Sequence, residues 1–349
     1  MEGLLETQGY DTEYGQEEGP FDSSGNAGKI HLDRFISLIP VPYYMGWFLL
    51  AAAYFLVSIT FLVQFEESLS YIGAFFIISI IIALEGTAIG WAHIRMKSFE
   101  NILIKIVDLP REEIIKLSKR QEAEIFNDKR MALFAIIFIG FVHISGIDYH
   151  ATSFYFAGSS LLFNLGYYFA VYLEGAGLFA LVMTALTVHK IGKLPMRVNT
   201  LYSDFHAIGI LYSKFTIFAA TVYVIWGIFH MIVPPIFSSL QVILWFLGFA
   251  ALLFAYFILP QYSIHKMMAS TKKGKIDLFS SQIKAALDES FGVPTKENVA
   301  YLRDMLSVQN QLNQMCEWPF GAKELLYIAL IIVIPLFVIL LEITLGIIR

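Results

Sequence analysis

Two carboxyls sit where a charge is unfavourable. Glu85 and Glu174 lie deep in apolar surroundings, in the triplets Leu84-Glu85-Gly86 and Leu173-Glu174-Gly175. An ionisable side chain inside an apolar span faces a bundle interior or water, and is a functional candidate by default. The chemistry open to such a pair is an ion or proton path, or a contact to a ligand. The alternative is a structural carboxyl, protonated or bonded to a nearby Ser or Tyr, and both readings stay open. The span around Glu85 can carry it. Nine Ile, Leu or Phe between Ile72 and Leu84 contribute about −0.3 to −0.6 kcal/mol each, against roughly +3 for one central charge.

Histidines are the next candidates. His143 and His230 fall near the outer ends of apolar spans, with Asp148, His150 and Glu342 at similar depth. A divalent metal could be held by such a set, but local hydrogen bonding is the commoner use of interfacial histidines, and no metal is assigned. The same holds for His93, His189, His206 and His265 at the inner boundary. The one cysteine, Cys316, supplies neither a disulfide framework nor a thiolate metal site. There is no His-x-x-x-His, no His-Glu-x-x-His, no Gly-x-Ser-x-Gly and no phosphate-cradling loop. No enzyme class, cofactor or nucleic-acid partner is indicated.

The elements that must position these residues follow from composition. With 57% hydrophobic and 15% charged residues in 349, the chain reads as an all-α polytopic membrane protein whose surroundings are a lipid bilayer. Seven apolar spans are expected: Tyr43–Phe65, Tyr71–His93, Met131–Ile147, one inside Thr152–Val188, Ile208–Val233, Leu240–Ile264 and Leu325–Ile348. The fourth is long enough for two crossings. No proline or polar turn divides it, so a single helix projecting inward is expected. Gly86 and Gly90 are four apart, a spacing that lets helices approach closely.

Charge sets the orientation. With the amino terminus inside, every lysine and arginine except Arg349 falls on the inner side, as positive residues do in membrane proteins. The carboxyl terminus is then outside, the reverse of G-protein-coupled receptors and microbial rhodopsins. Residues 1–30 carry seven acids and one base and read as a disordered acidic tail rather than a cleavable leader. Residues 31–264 form the six-helix bundle, with a cytoplasmic helical loop at 95–130. Residues 265–320 form a cytoplasmic helical segment, and 321–349 the seventh helix. Pro110 and the acids after it open a helix whose Ile114, Ile115, Leu117 and Ile125 seek a surface. Further inner helices are expected over Ile276–Glu289 and from a Thr295 cap to about Met315. The last carries an apolar stripe of Val299, Leu302 and Leu306 beside Met305, Val308 and Leu312. Packing within the chain's own inner subdomain is the first expectation for that stripe. The turn Trp318-Pro319-Phe320 then leads into the last span.

This order of features resembles the insect odorant and gustatory receptor superfamily and its remote relatives: an inside amino terminus, seven helices, overlong inner ends on the fourth to sixth, a helical lead-in and a terminal seventh helix. The likeness covers nearly the whole chain and is architectural. The Thr-Tyr…Gln signature of the insect last helix is not matched, because Tyr327 follows Leu326 and no Gln comes after it. The Glu317–Phe320 turn also resembles uncharacterised prokaryotic membrane proteins. The resemblance implies a homotetrameric cation channel of the cell membrane, chemoreceptor-like, with the last helix of each subunit lining the pore and a small-molecule ligand bound among the other six. Leu336, Val338, Ile339 and Leu340 would form an apolar constriction, and Glu342 a carboxylate ring that concentrates cations. A transporter or lipid-handling protein working through Glu85 and Glu174 is the second expectation. A noncatalytic scaffold is the third.

Overall fold

The computed structural model describes residues 30–64, 72–144, 159–195, 202–232, 239–290, 296–314, 317–319, 321, 325–327, 329–330 and 333. Among them there is no strand. The helices run in the order α1 His31–Ile36, α2 Tyr43–Gln64, α3 Ile72–Ile106, α4 Arg111–Ile125, α5 Asp128–Ile144, α6 Ser159–Ile191, α7 Tyr202–Ile232, α8 Ser239–Ser290 and α9 Lys296–Gln314. Four described stretches, Tyr43–Gln64, Ile72–Ile106, Leu161–Ile191 and His206–Phe229, are long and apolar enough to cross a bilayer. This is a membrane-embedded helical protein. The acidic tail before Ile30 lies outside the described residues, as do Thr295, Cys316, Phe320, Leu336, Val338, Ile339, Leu340 and Glu342.

α3 is the central element. It packs against α2, α4, α6 and α7, and its Phe75, Ile78, Ile81 and Ile82 are buried. Outward faces carry exposed Leu56, Val63, Ile136, Ile137, Leu161 and Leu165, which suits contact with acyl chains rather than water. α3 does not stop near His93, where the second span was expected to give way to a polar stretch. Met96, Phe99, Leu103 and Ile106 continue it at helical spacing and are all buried. At 35 residues it is about 50 Å long, well beyond a bilayer core of about 30 Å. The long fourth segment is one helix, α6, of 33 residues.

The sixth span and the inner helix expected over Ile276–Glu289 are not separate. α8 is a single helix of 52 residues. Two things keep it continuous. Buried Ile264, Met267, Met268 and Ile283 carry its packed face across the Lys272-Lys273-Gly274 stretch. Pro260, which stands inside the helix, lacks the N–H that would bond the carbonyl of Tyr256. The Tyr212 hydroxyl on α7 donates to that carbonyl at 2.8 Å instead, and the Tyr212 and Tyr256 rings stack with centroids 4.9 Å apart. A backbone acceptor freed by proline is thus satisfied from the neighbouring helix.

One end of the bundle is closed by α1, a short helix that the apolar pattern alone does not mark. Ile30, Leu32 and Ile36 are buried. Its polar residues are held in turn. Asp128, at the start of α5, accepts from the His31 backbone N–H at 2.7 Å and lies 3.0 Å from His31 Nδ1; Arg34 also donates to it. The Tyr172 hydroxyl on α6 sits 2.6 Å from His31 Nε2. Asp33 Oδ2 is 2.9 Å from Nδ1 of the buried His93, whose Nε2 lies 3.3 Å from Glu122 Oε1 on α4. Glu124 on α4 bridges Arg120 and Lys190 of α6, each at 3.1 Å. Those two cations, Lys190 first, hold its carboxyl below the usual glutamate range.

Candidate functional site

A cavity opens between α3, α6 and α7, and both intramembrane carboxyls line it. It has room for about 90 Å³ of water-sized molecules. That is several times the roughly 10–15 Å³ that one water needs on the same measure. Three stripes of side chains face each other at the spacing of a helix face. α3 gives Glu85, Ala88, Ile89 and Ala92; α6 gives Glu174, Gly177, Leu178 and Leu181; α7 gives Phe215, Phe218, Ala219 and Val222. The void follows from residue size: Ala88, Ala92, Gly177 and Ala219 leave short side chains on all three facing stripes.

The glycine after each carboxyl helps to aim it. A side chain at Gly86 would collide with the ring of Trp47 on α2. One at Gly175 would come within 2.8 Å of the Ala135 Cα on α5. So the glycine faces are filled by neighbouring helices, and each glutamate, about 100° round the helix, is left toward the cavity. Gly86 and Gly90 do not bring two backbones together as their spacing suggests; they seat the rings of Trp47 and Tyr43.

Glu85 is 4% exposed. Its Oε1 accepts from Trp226 Nε1 on α7 at 3.1 Å. Its Oε2 is buried with no hydrogen-bond partner, an arrangement that costs about 1–3 kcal/mol if nothing else fills it. The partner is therefore a tryptophan, not the Ser or Tyr that a structural carboxyl was expected to find. Trp226 also belongs to an aromatic cluster with Tyr167 and Phe229, at centroid distances of 5.8 and 5.5 Å. That cluster joins α6 to α7 beyond the carboxyls. On the other side, Trp91 of α3 meets Phe215 and Phe218 at 5.3 and 5.1 Å. Glu174 is half-buried. Thr184, also on the lining, donates to the Ala180 carbonyl at 2.7 Å in its own helix. The site is an apolar and aromatic chamber with two acidic groups, the general form of a small-molecule pocket.

The histidines are distributed elsewhere. His143 Nδ1 lies 3.3 Å from the Tyr168 hydroxyl; His230 falls in α7. His189 Nδ1 is 2.5 Å from Ser263 Oγ. Among the described residues no group of three or more His, Cys, Asp or Glu is placed to hold a metal ion. His206 and His265 gather the turn at residues 317–319. His206 Nδ1 is 3.2 Å from the Pro319 carbonyl, and His265 Nδ1 is 2.8 Å from that of Glu317. The His265 ring stacks on Trp318 at 4.2 Å, and Lys272 donates to Glu317 Oε1 at 3.1 Å. α9 packs on α8; of its apolar stripe Met305 is buried, while Val299 and Leu306 remain exposed.

Sequence reasoning reaches Glu85 and Glu174 but not Trp226, whose bond to Glu85 spans 141 positions. It also misses the docking of His31, Asp33 and Arg34, although buried Ile30, Leu32 and Ile36 leave a faint helical spacing. No protein-family model matches this chain, and no curated protein or solved structure matches it significantly.

Proposed function

We propose that this chain binds a small molecule inside its helical bundle and that binding controls the passage of cations. The observation that carries the reading is the chamber between α3, α6 and α7 with Glu85 and Glu174 on its wall. In this reading α5, α8 and the stretch after Leu325 complete seven spans. The amino terminus lies in the cytoplasm, the carboxyl terminus lies outside the cell membrane, and several copies assemble so that the last helix of each lines the path. α7 links the parts. It contributes Phe215, Phe218 and Val222 to the chamber, and its His206 holds the Pro319 carbonyl at the entry to the last helix. A ligand that shifts α7 would thereby move that entry. The resemblance to the odorant and gustatory receptors points the same way. Purified protein in planar bilayers is expected to conduct cations, and Glu342→Gln to reduce cation preference. Silent bilayers containing a folded tetramer would remove the channel.

The two carboxyls in one chamber also favour a second reading, a transporter with no oligomeric pore. It predicts a monomer or dimer in mild detergent and a pH-dependent substrate flux abolished by Glu85→Gln. Oligomeric state separates the two: a tetramer supports the channel, a monomer the transporter.

A further inference from the structure

The ligand class of the chamber is written in its two carboxyls and its apolar, aromatic walls. This inference rests on the chamber being a small-molecule site. Glu85 has one oxygen held by Trp226 Nε1 at 3.1 Å and a second, buried oxygen with no partner. Glu174 lines the same space. The groups facing them from every wall are apolar or aromatic, apart from the Tyr223 side chain and the Thr184 hydroxyl, which donates to Ala180. Among the described residues no lysine, arginine or histidine lines the chamber.

Four kinds of occupant can be weighed by chemistry. An anion would meet two acidic groups and no cation. A neutral apolar molecule would leave Glu85 Oε2 unsatisfied in a dry site, at the cost of a buried orphan acceptor. A hard metal ion such as Ca²⁺ needs about six to eight oxygen ligands, and the lining offers two carboxyls, one committed hydroxyl and a phenol. An organic ammonium meets every feature. It brings up to three N–H donors for Glu85 and Glu174, an apolar body for Ala88, Leu178, Leu181 and Val222, and a charge that the faces of Trp91 and Phe218 attract.

We propose that the chamber between α3, α6 and α7 is a binding site for a small lipophilic amine in its ammonium form, with Glu85 as the direct counter-ion, Glu174 as its second acidic contact and Trp91 as the aromatic wall. Trp226 is a positioning residue: by holding Oε1 it fixes the Glu85 carboxyl at the chamber wall. The small residues Ala88, Gly177 and Ala219 set the size of molecule accepted.

The test uses the full chain in lipid nanodiscs at pH 7 and two probes of matched shape, 2-phenylethylamine and 2-phenylethanol, with binding read by calorimetry. The amine is expected to bind on the order of tenfold or more tightly than the alcohol, because a buried charge pair is lost with the alcohol. Glu85→Gln should remove that preference. Ala219→Phe, which fills the chamber, should weaken both probes. If Glu85→Gln does not fold, as judged by gel filtration and circular dichroism, Glu174→Gln should narrow the preference in the same direction. Equal affinity for amine and alcohol, with both lost in Ala219→Phe, overturns the amine assignment and leaves the small-molecule site standing. No binding of either probe by folded protein overturns both. An amine preference that survives Glu85→Gln and Glu174→Gln also overturns the assignment.

Discussion

Two glycines, two residues apart on α6, have opposite surroundings. A methyl at Gly175 would press on the α5 backbone at Ala135, 2.8 Å away, whereas one at Gly177 would touch only Ile89 Cγ1 at 3.9 Å. Gly175→Ala is therefore expected to destabilise the protein by about 1–3 kcal/mol, the usual cost of overpacking. Gly177→Ala should be near neutral in thermal unfolding and should only narrow the chamber. Similar losses for both would contradict the placement of α5 against α6. At this scale the sequence is half legible. Glu85 and Glu174 stand out because a charge in an apolar run is unfavourable wherever its partner lies. Trp226 does not stand out, because nothing local distinguishes it from the other four tryptophans; only the approach of α7 to α3 brings it to Glu85.

Pro260 and Tyr212 form a pair at the scale of elements. Tyr212→Phe strands the Tyr256 carbonyl that Pro260 cannot bond, and should cost about 1–3 kcal/mol. Pro260→Ala restores the missing N–H, so the hydroxyl should matter less in that background. A double-mutant cycle measures the coupling, and strict additivity would contradict the account of how α8 stays continuous. The docking of α1 has its own signature. Burial works to raise the Asp128 carboxyl, but the His31 backbone and ring and the Arg34 guanidinium outweigh it and hold it below its ordinary value of 3.8. Asp128 precedes the apolar stretch that begins at Met131. A depressed carboxyl contributes stability at pH above its unfolded value, and that contribution is lost as pH falls through the folded value. Protease cleavage around α1 should thus rise only in acid, below about pH 4, and Asp128→Asn should raise it already at neutral pH. Cleavage independent of both would contradict the docking. Helix starts such as Pro110 were legible from local chemistry. The fusion of the sixth span to the inner helix was not. The sixth span was expected to run through Pro260 and end at Ile264, and the polar Lys272-Lys273-Gly274 stretch hides the continuation that buried Met267, Met268 and Ile283 show.

The whole molecule is legible where bulk physics decides. Composition gives a membrane protein, and the asymmetry of lysine and arginine is the ground for the proposed orientation. Reporter tags at both ends of the chain should show the amino terminus shielded and the carboxyl terminus reachable from outside intact cells; the opposite pattern would remove the proposed topology and the pore with it. Composition does not reveal which helices surround a void. Small residues on α3, α6 and α7 are common packing residues in any span, and only their convergence makes a chamber. The most direct test of that chamber starts from the chain with its single cysteine removed, Cys316→Ser, carrying Ala219→Cys on the α7 wall. A small cationic thiol reagent should modify this cysteine in native membranes, faster than a neutral reagent of equal size, and Glu85→Gln with Glu174→Gln should abolish the difference. A cysteine inert to both reagents in folded protein would contradict an accessible, acidic chamber as the functional centre.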